Sequence, residues 1–265
     1  MAGRGDRFVA KGYRSPKPLI QLNDGRMIIE HVLDMFQDPD DKFIFICNDE
    51  HLSTTGMADI LEELRPDCQI VAIPPHKKGP VYTLLPAFDL IDHDEEIVVA
   101  YCDGTVKWNR QDFNLSMAEA DGALITHTGF HPHTLSSTKM AFIKEDRGQV
   151  LEVKEKACYT DDPFSEHASS GIYYFKKGSY LKKYCQQLID LNLNYNGEFY
   201  VTLVYNLLIQ DGLRVKYYDT DYVAILGTPE DTSNFEAWAT LVKNMPTVSD
   251  DDLMECFYYW RGYYK

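Results

Sequence analysis

An α/β fold, with a mainly parallel but mixed sheet flanked by helices on both faces, is predicted by three features of the sequence. Short apolar runs of strand length at residues 42–47, 69–73 and 96–101 alternate with stretches that repeat apolar residues at helical spacing, at 27–36 and 81–91. The runs are apolar almost throughout rather than at every second position, as strands covered on both faces require. A chain of 265 residues can bury one full core of this kind.

The first stretch, residues 3–19 (GRGDRFVAKGYRSPKPL), is expected to be an irregular anion-binding loop. It concentrates glycine, arginine, lysine and a Pro-Lys-Pro in a run with little that suits a helix or strand interior. Gly3 and Gly5 let the backbone take positive φ and turn successive N–H groups toward phosphate oxygens. Arg7 and Lys17 add mobile positive charge, and Pro16 and Pro18 hold Lys17 on a stiff arm. No Gly-Lys-Ser/Thr closes the loop, and Phe8 stands where a dinucleotide fingerprint needs its third glycine.

Farther along, residues 27–36 read as the first helix and 42–47 as a buried strand. Ser53 or Thr54 can cap a helix that Pro66 ends, near residue 64. Residues 69–73 are a strand, 74–79 a loop and 81–91 a helix. The strand at 96–101 ends in Cys102-Asp103-Gly104, which puts a carboxylate at the carboxyl end of a buried strand, where open α/β sheets bind ligands. Residues 140–143 and 150–153 read as strands paired around an Asp146-Arg147-Gly148 turn, and 235–241 and 250–265 read as helices. His131 and His133 flank Pro132 with no third metal ligand nearby in sequence. Phe257, Tyr258, Tyr259, Trp260, Tyr263 and Tyr264 are too many rings to leave in water. They are expected to cap the core or to form an interface between copies in a homo-oligomer.

Charge and cysteine usage narrow the function. A net charge of −15 argues against nucleic-acid backbone and acidic membrane surfaces as partners. No stretch is long and apolar enough to suggest a transmembrane helix, and no signal peptide is visible. The six cysteines, 47, 68, 102, 158, 185 and 256, form no Cys-x-x-Cys, and are expected to be reduced, mostly buried thiols of a cytoplasmic protein.

Three motifs occur in order: Gly3-Arg4-Gly5-Asp6-Arg7-Phe8, Pro16-Lys17-Pro18-Leu19 and Gly25-Arg26-Met27-Ile28. Together they resemble the signature of the sugar nucleotidyltransferases, the nucleoside-diphosphate-sugar pyrophosphorylases of the NTP-transferase group. The resemblance continues through Asp103, Glu155-Lys156, Gly171 within residues 168–175, and Gly197-Glu198, as far as Asp231. It implies a Rossmann-like nucleotidyltransferase fold over residues 1–240, with a nucleotide-binding half (1–125), an acceptor-binding half (126–240), and a C-terminal aromatic helical tail (241–265). It also implies a buried apolar strand ahead of the glycine loop. The sequence starts at Met1 with that loop already under way, so a first strand is expected upstream.

What the family does implies an Mg²⁺-dependent reaction that joins a nucleoside triphosphate to a phosphorylated acceptor, by default a sugar 1-phosphate, and releases pyrophosphate. By resemblance, Arg7 and Lys17 are the catalytic cations, and Ala2, Gly3, Arg4, Gly5, Lys77 and Gly79 bind the nucleotide. Asp103 holds Mg²⁺, while Glu155, Lys156, Gly171 and Glu198 bind the acceptor. Two departures stand out. Pro80 replaces a small residue of the base-recognition loop, and Ile225 stands where many members carry a second metal-binding aspartate, leaving Asp219 or Asp221 to compensate. Alternative readings are a cytidylyltransferase acting on a non-sugar phosphate such as phosphocholine, and a non-catalytic nucleotide-binding regulatory subunit. A glycosyltransferase is disfavoured, since Asp103-Gly104-Thr105 lacks the second aspartate of an Asp-x-Asp motif.

Overall fold

The computed structural model describes residues 1–244; the helix expected at 250–265, its rings and Cys256 lie outside the described residues. The glycine-rich start is less irregular than expected. Residues Asp6–Ala10 close one helical turn, α1, behind Gly5 at φ 68°. Gly5 takes positive φ but Gly3 does not. Helix α2 covers Ile28–Leu33, shorter than the apolar repeat, with Glu30 accepting from the Met27 N–H at 2.7 Å.

Strand β1 (Ile44–Asn48) runs straight into α3 (Asp49–Thr54), capped by the Asn48 side chain on the Glu50 N–H. Ser53 and Thr54 therefore do not cap the helix that follows. Their hydroxyls turn back onto the Glu50 carbonyl at the end of α3, and α4 (Met57–Leu64) starts afresh behind Gly56. Strand β2 (Gln69–Ile73) pairs in parallel with β1. The expected helix at 81–91 is α5 (Pro80–Leu84), continued as a 3₁₀ turn over Leu85–Leu90, because Pro86 has no N–H to carry the α-ladder onward.

Then come β3 (Ile97–Ala100), β4 (Gly104–Val106), α6 (Arg110–Ser116) and β5 (Gly122–His127). Strands β6 (Phe142–Asp146) and β7 (Gln149–Lys154) form the expected hairpin, its turn made by Arg147 at φ 52° and Gly148 at φ 81°. Strand β8 (Ala168–Phe175) leads to α7 (Gly178–Asp190), α8 (Val201–Gln210), β9 (Val215–Asp219) and β10 (Val223–Ile225). The last described helix, α9 (Pro229–Asn244), is longer than the 235–241 expected.

Six strands form one mixed sheet in the order β3-β8-β5-β9-β7-β6, with β5 and β9 parallel and β8 antiparallel to both of its main neighbours. Alternation along β5 and β8 sorts their side chains. Leu124, Tyr173 and Phe175 face α7 and α8, whereas Ala123, Ile125, Ile172 and Tyr174 share a core with α2, α4 and α6. Each such large side chain stabilises the fold by about 1.5–3 kcal/mol. The Tyr205 hydroxyl, carried in by α8, bonds the carbonyls of both Ala123 and Tyr174. Of the described cysteines, Cys47 and Cys185 are buried, Cys68 and Cys102 half-buried and Cys158 exposed, where mostly buried thiols were expected.

The β1–β2 pair stands apart from the six-stranded sheet. Among the described residues β1 pairs only with β2, apart from Met1, and β3 only with β8. A trench, part of a cavity of about 1240 Å³, runs between them, walled by Phe43 to Ile46 on one side and Ile97 to Ala100 on the other. At one end the Met1 ammonium donates to the Ile46 carbonyl at 2.6 Å and the Met1 carbonyl accepts from the Asn48 N–H at 3.3 Å. That pair of bonds is one rung of a parallel ladder, with Met1 opposite Cys47.

Candidate active site

The chain after Met1 leaves the trench as the glycine loop. Ala2 is buried against Ile46 and Ala87, while Gly3, Gly5 and Arg7 line the same cavity. Arg4 reaches Glu50 at 3.8 Å and Lys77 reaches Asp6 at 3.8 Å, both exposed pairs of little energetic weight. Pro16 precedes and Pro18 lies within a single 3₁₀ turn, Lys17–Leu19, so the two prolines flank Lys17, which lines the cavity. Its ammonium lies 2.6 Å from the Asp103 carboxylate, delivered by the bend between β3 and β4. Burial works against the lysine's charge, but Asp103 outweighs it and pushes the Lys17 pKa up to about 12. Both side chains are about one-fifth exposed (21% each), so the pair remains open to a ligand.

Asp103 is held from behind: its carbonyl accepts from the Leu226 N–H at 2.6 Å, and a Cβ on Gly227 would lie 3.1 Å from its Oδ2. Ile225 pairs with Gly104 and packs into the core, so it offers the site no oxygen. Asp219, at the end of β9, is bonded to the Thr126 hydroxyl and to His167 Nδ1, and Asp221 is exposed. Asp231 is fully buried and accepts hydrogen bonds from Ser136, Thr138 and Thr228, which tie α9 to the 132–138 segment. Among the described residues no three His, Cys, Asp or Glu side chains gather to hold a metal. Asp103, paired with Lys17 but still one-fifth exposed, is a carboxylate of the kind that Mg²⁺ can use, since this ion is commonly held by one or two carboxylates together with substrate phosphates.

Across the cavity, Gly79 adopts φ 86° where a Cβ would come within 2.6 Å of the Phe199 nitrogen. The Phe199 N–H donates to the Lys78 carbonyl at 2.9 Å and its own carbonyl accepts from the Val81 N–H at 3.0 Å. This joins residues 78–81 to the segment bearing Glu198. Beyond Gly79, Glu198, Tyr200 and Tyr101 line the cavity. Gly171, at φ 78°, faces Tyr101, and a Cβ there would lie 3.2 Å from that ring. Glu155 is buried and accepts from the Thr202 hydroxyl at 2.5 Å; burial raises its pKa. Lys156 reaches the same region through the Tyr200 hydroxyl, which in turn donates to Glu198.

His131 and His133 join His127 in a buried cluster with ring centroids 4.9–5.9 Å apart. Neither ring nitrogen of His133 has a hydrogen-bond partner among the described residues. Burial, reinforced by the neighbouring rings, pushes the His133 pKa down to about 3 and that of His127 well below the usual range.

Thus Ala2, Gly3, Arg4, Gly5, Arg7, Lys17, Lys77, Gly79, Asp103 and Glu198 border one cavity, and Glu155, Lys156 and Gly171 stand directly behind its wall. Sequence reasoning missed Tyr101 and Tyr200. Tyr101, ending an apolar strand two residues before Asp103, was a visible signal. Tyr200, two residues after Glu198, could have been found from the same spacing.

The sequence matches the MobA-like NTP transferase domain over residues 1–141, more than half of the chain. Among solved structures, the chain is similar to the nucleoside-diphosphate-sugar pyrophosphorylase from Vibrio cholerae RC9, with a TM-score of 0.74 and 22% identity over 89% of this chain and 98% of the other. A putative glucose-1-phosphate thymidylyltransferase from Bacillus anthracis gives a TM-score of 0.63 at 16% identity, covering 93% of this chain and 94% of that one. The inositol-1-phosphate CTP transferase from T. maritima gives 0.64 at 14% identity, covering 93% and 95%. Among curated proteins no match is found. The structural likenesses bear out the predicted α/β fold, and with the domain match they lead to one conclusion: the chain belongs to the MobA-like NTP transferase domain family and is a nucleotidyltransferase.

Proposed function

We propose that this nucleotidyltransferase joins a nucleoside triphosphate to a sugar 1-phosphate, giving an NDP-sugar and pyrophosphate. The observation that carries the reading is the Lys17–Asp103 pair beside the glycine loop, facing Glu198 and Tyr200 across one cavity. Two anionic substrates can meet there between a cationic lip and a polar, aromatic wall.

In the proposed reaction a phosphate oxygen of the acceptor attacks the α-phosphorus. The bond from that phosphorus to the bridging oxygen of the β-phosphate breaks, and pyrophosphate leaves with the electron pair. The nucleophile is already an anion at neutral pH, so no proton must be removed. The task of the protein is to hold two like-charged groups in line and to offset charge on the α-phosphate and the leaving group. Loop amides near Gly3 and Gly5, with Arg7 and Lys17, serve the triphosphate. Lys156 serves the acceptor phosphate, and Glu155 and Glu198 its hydroxyls. Asp103 would hold Mg²⁺, which supplies Lewis-acid neutralisation of the phosphate oxygens. With Ile225 beside Gly104 supplying no carboxylate, the remaining ligands would come from the nucleotide and water. A triphosphate substrate and free thiols fit a cytoplasmic enzyme.

The test is pyrophosphate release with Mg²⁺, each of four nucleoside triphosphates, and an acceptor panel of sugar 1-phosphates, inositol 1-phosphate and phosphocholine. Turnover with one sugar 1-phosphate supports the reading. Turnover with phosphocholine alone replaces the acceptor, and nucleotide binding without pyrophosphate from any pair removes the catalytic reading.

A further inference from the structure

Lys156 is one of four non-glycine residues with positive φ among the described residues, at 57°, a conformation that costs a non-glycine residue energy and that surrounding contacts must hold. Its ammonium donates to the Tyr200 hydroxyl and lies 4.4 Å from the centre of the Tyr200 ring and 5.2 Å from that of Tyr195. The two rings are themselves fixed. Asn196 at φ 51° and Gly197 at φ 81° make a tight turn in which Tyr195 and Glu198 exchange backbone hydrogen bonds at 2.9 and 3.0 Å. Tyr200 is the residue from which α8 starts. The Tyr200 proton is committed to the Glu198 carboxylate, so its oxygen is left as an acceptor for the lysine. Burial and that carboxylate both raise the Tyr200 pKa, which keeps the phenol protonated.

We infer that Tyr200 is a positioning residue: its hydroxyl and ring hold the Lys156 ammonium where the acceptor phosphate binds, and link it to Glu198. The inference rests on the proposed role of Lys156 and adds a residue to it. Three features combine here. The lysine backbone is strained, its head group has one fixed acceptor, and two aromatic faces favour a cation over a freely rotating side chain. A long, flexible lysine would otherwise lose substantial rotamer freedom each time it met a phosphate. With Tyr200 in place that ordering precedes substrate binding, and the gain falls on acceptor affinity rather than on the chemical step.

The test uses Tyr200→Phe, which keeps the ring and removes the hydroxyl, and Tyr200→Leu, which removes both. Competitive acetylation of the unliganded protein, read by peptide mass spectrometry, reports how tightly Lys156 is held and needs no substrate. Faster labelling of Lys156 is expected in Tyr200→Phe and faster still in Tyr200→Leu, with other lysines unchanged. With the acceptor identified from the panel, Tyr200→Phe should raise its KM on the order of 10-fold at unchanged kcat and unchanged triphosphate KM. Unchanged Lys156 labelling in both variants overturns the inference whatever the kinetics. Lys156→Gln separates the two levels of the argument. If it raises acceptor KM while the Tyr200 variants do not, the inference fails and the role of Lys156 stands. If Lys156→Gln leaves acceptor KM unchanged, the role of Lys156 falls, and the inference with it.

Discussion

Lys17 and Asp103, 86 residues apart in sequence, meet at 2.6 Å at the mouth of the cavity. A short turn that holds Lys17 between Pro16 and Pro18 brings one, and a strand end brings the other. Replacing either by alanine leaves the other charge largely buried without its partner and should lower the melting temperature by a few degrees while the protein still folds. Turnover should fall by about 10²–10³-fold, as for loss of one preorganised charge-stabilising group. Steady-state pyrophosphate release beside a thermal melt checks both halves; near-normal turnover in both variants would remove the pair from the mechanism.

The histidine cluster predicts acid sensitivity. His127, His131 and His133 have folded-state pKa values lowered mainly by burial, so the native state binds fewer protons than the unfolded chain below about pH 6.5. Stability from these groups is therefore full above that pH and declines as pH falls. From its shift to about 3, His133 alone should cost roughly 2 kcal/mol at pH 5. His167 works in the opposite sense. Its bond to Asp219 raises its pKa, so its contribution is present in acid and lost as pH rises through the raised value. Trp238 packs against Phe130 with ring centroids 5.2 Å apart, next to the segment carrying His131 and His133, and its fluorescence offers the readout. His133→Gln should flatten the decline in melting temperature between pH 7 and 5. An equally steep decline would show that the cluster is not its source.

The glycine loop, Pro-Lys-Pro and the carboxylate after an apolar strand were legible because each is a local pattern with a local physical reason. Lys17 and Asp103 could be named without knowing that they touch. The contact between Tyr200 and Lys156 was not legible, because it joins residues 44 apart and depends on a left-handed lysine backbone that no sequence pattern announces. Helix limits failed for a different reason. Ser53 and Thr54 are residue types that cap helices, but their hydroxyls bond back to the Glu50 carbonyl within α3, and α4 starts only at Met57 behind Gly56. Pro86 divides the next one in a way that was readable, yet helical spacing alone passed over it.

Between β1 and β3 the backbone geometry invites a strand. Met1 already stands one parallel rung from Cys47, and the facing walls are apolar. An apolar strand of about five or six residues fused ahead of Met1 should extend that ladder, pair with both edges and bury the walls. The expected outcome is a clear rise in melting temperature, together with slower amide exchange at Ile44, Ile46 and Val98, whose N–H groups face the trench. A fusion whose strand is interrupted by proline serves as the control. Equal stability of the two fusions would mean that the trench does not accept a strand.

Gly79 gives the last prediction, because it lies in the loop proposed to bind the nucleotide but touches the segment proposed to bind the acceptor. At φ 86°, with a Cβ destined for 2.6 Å from the Phe199 nitrogen, alanine there meets backbone rather than a side chain that could swing away. The strain, about 1–3 kcal/mol, can be relieved only by separating residues 78–81 from residues 198–199. That separation breaks the hydrogen bonds at 2.9 and 3.0 Å and displaces Glu198 and Tyr200. Gly79→Ala should therefore lower the melting temperature by several degrees and raise acceptor KM by more than triphosphate KM. Were the loop independent of the acceptor wall, only triphosphate KM would change. Kinetics with each substrate varied at saturation of the other distinguish the two, and a selective triphosphate effect would refute the coupling.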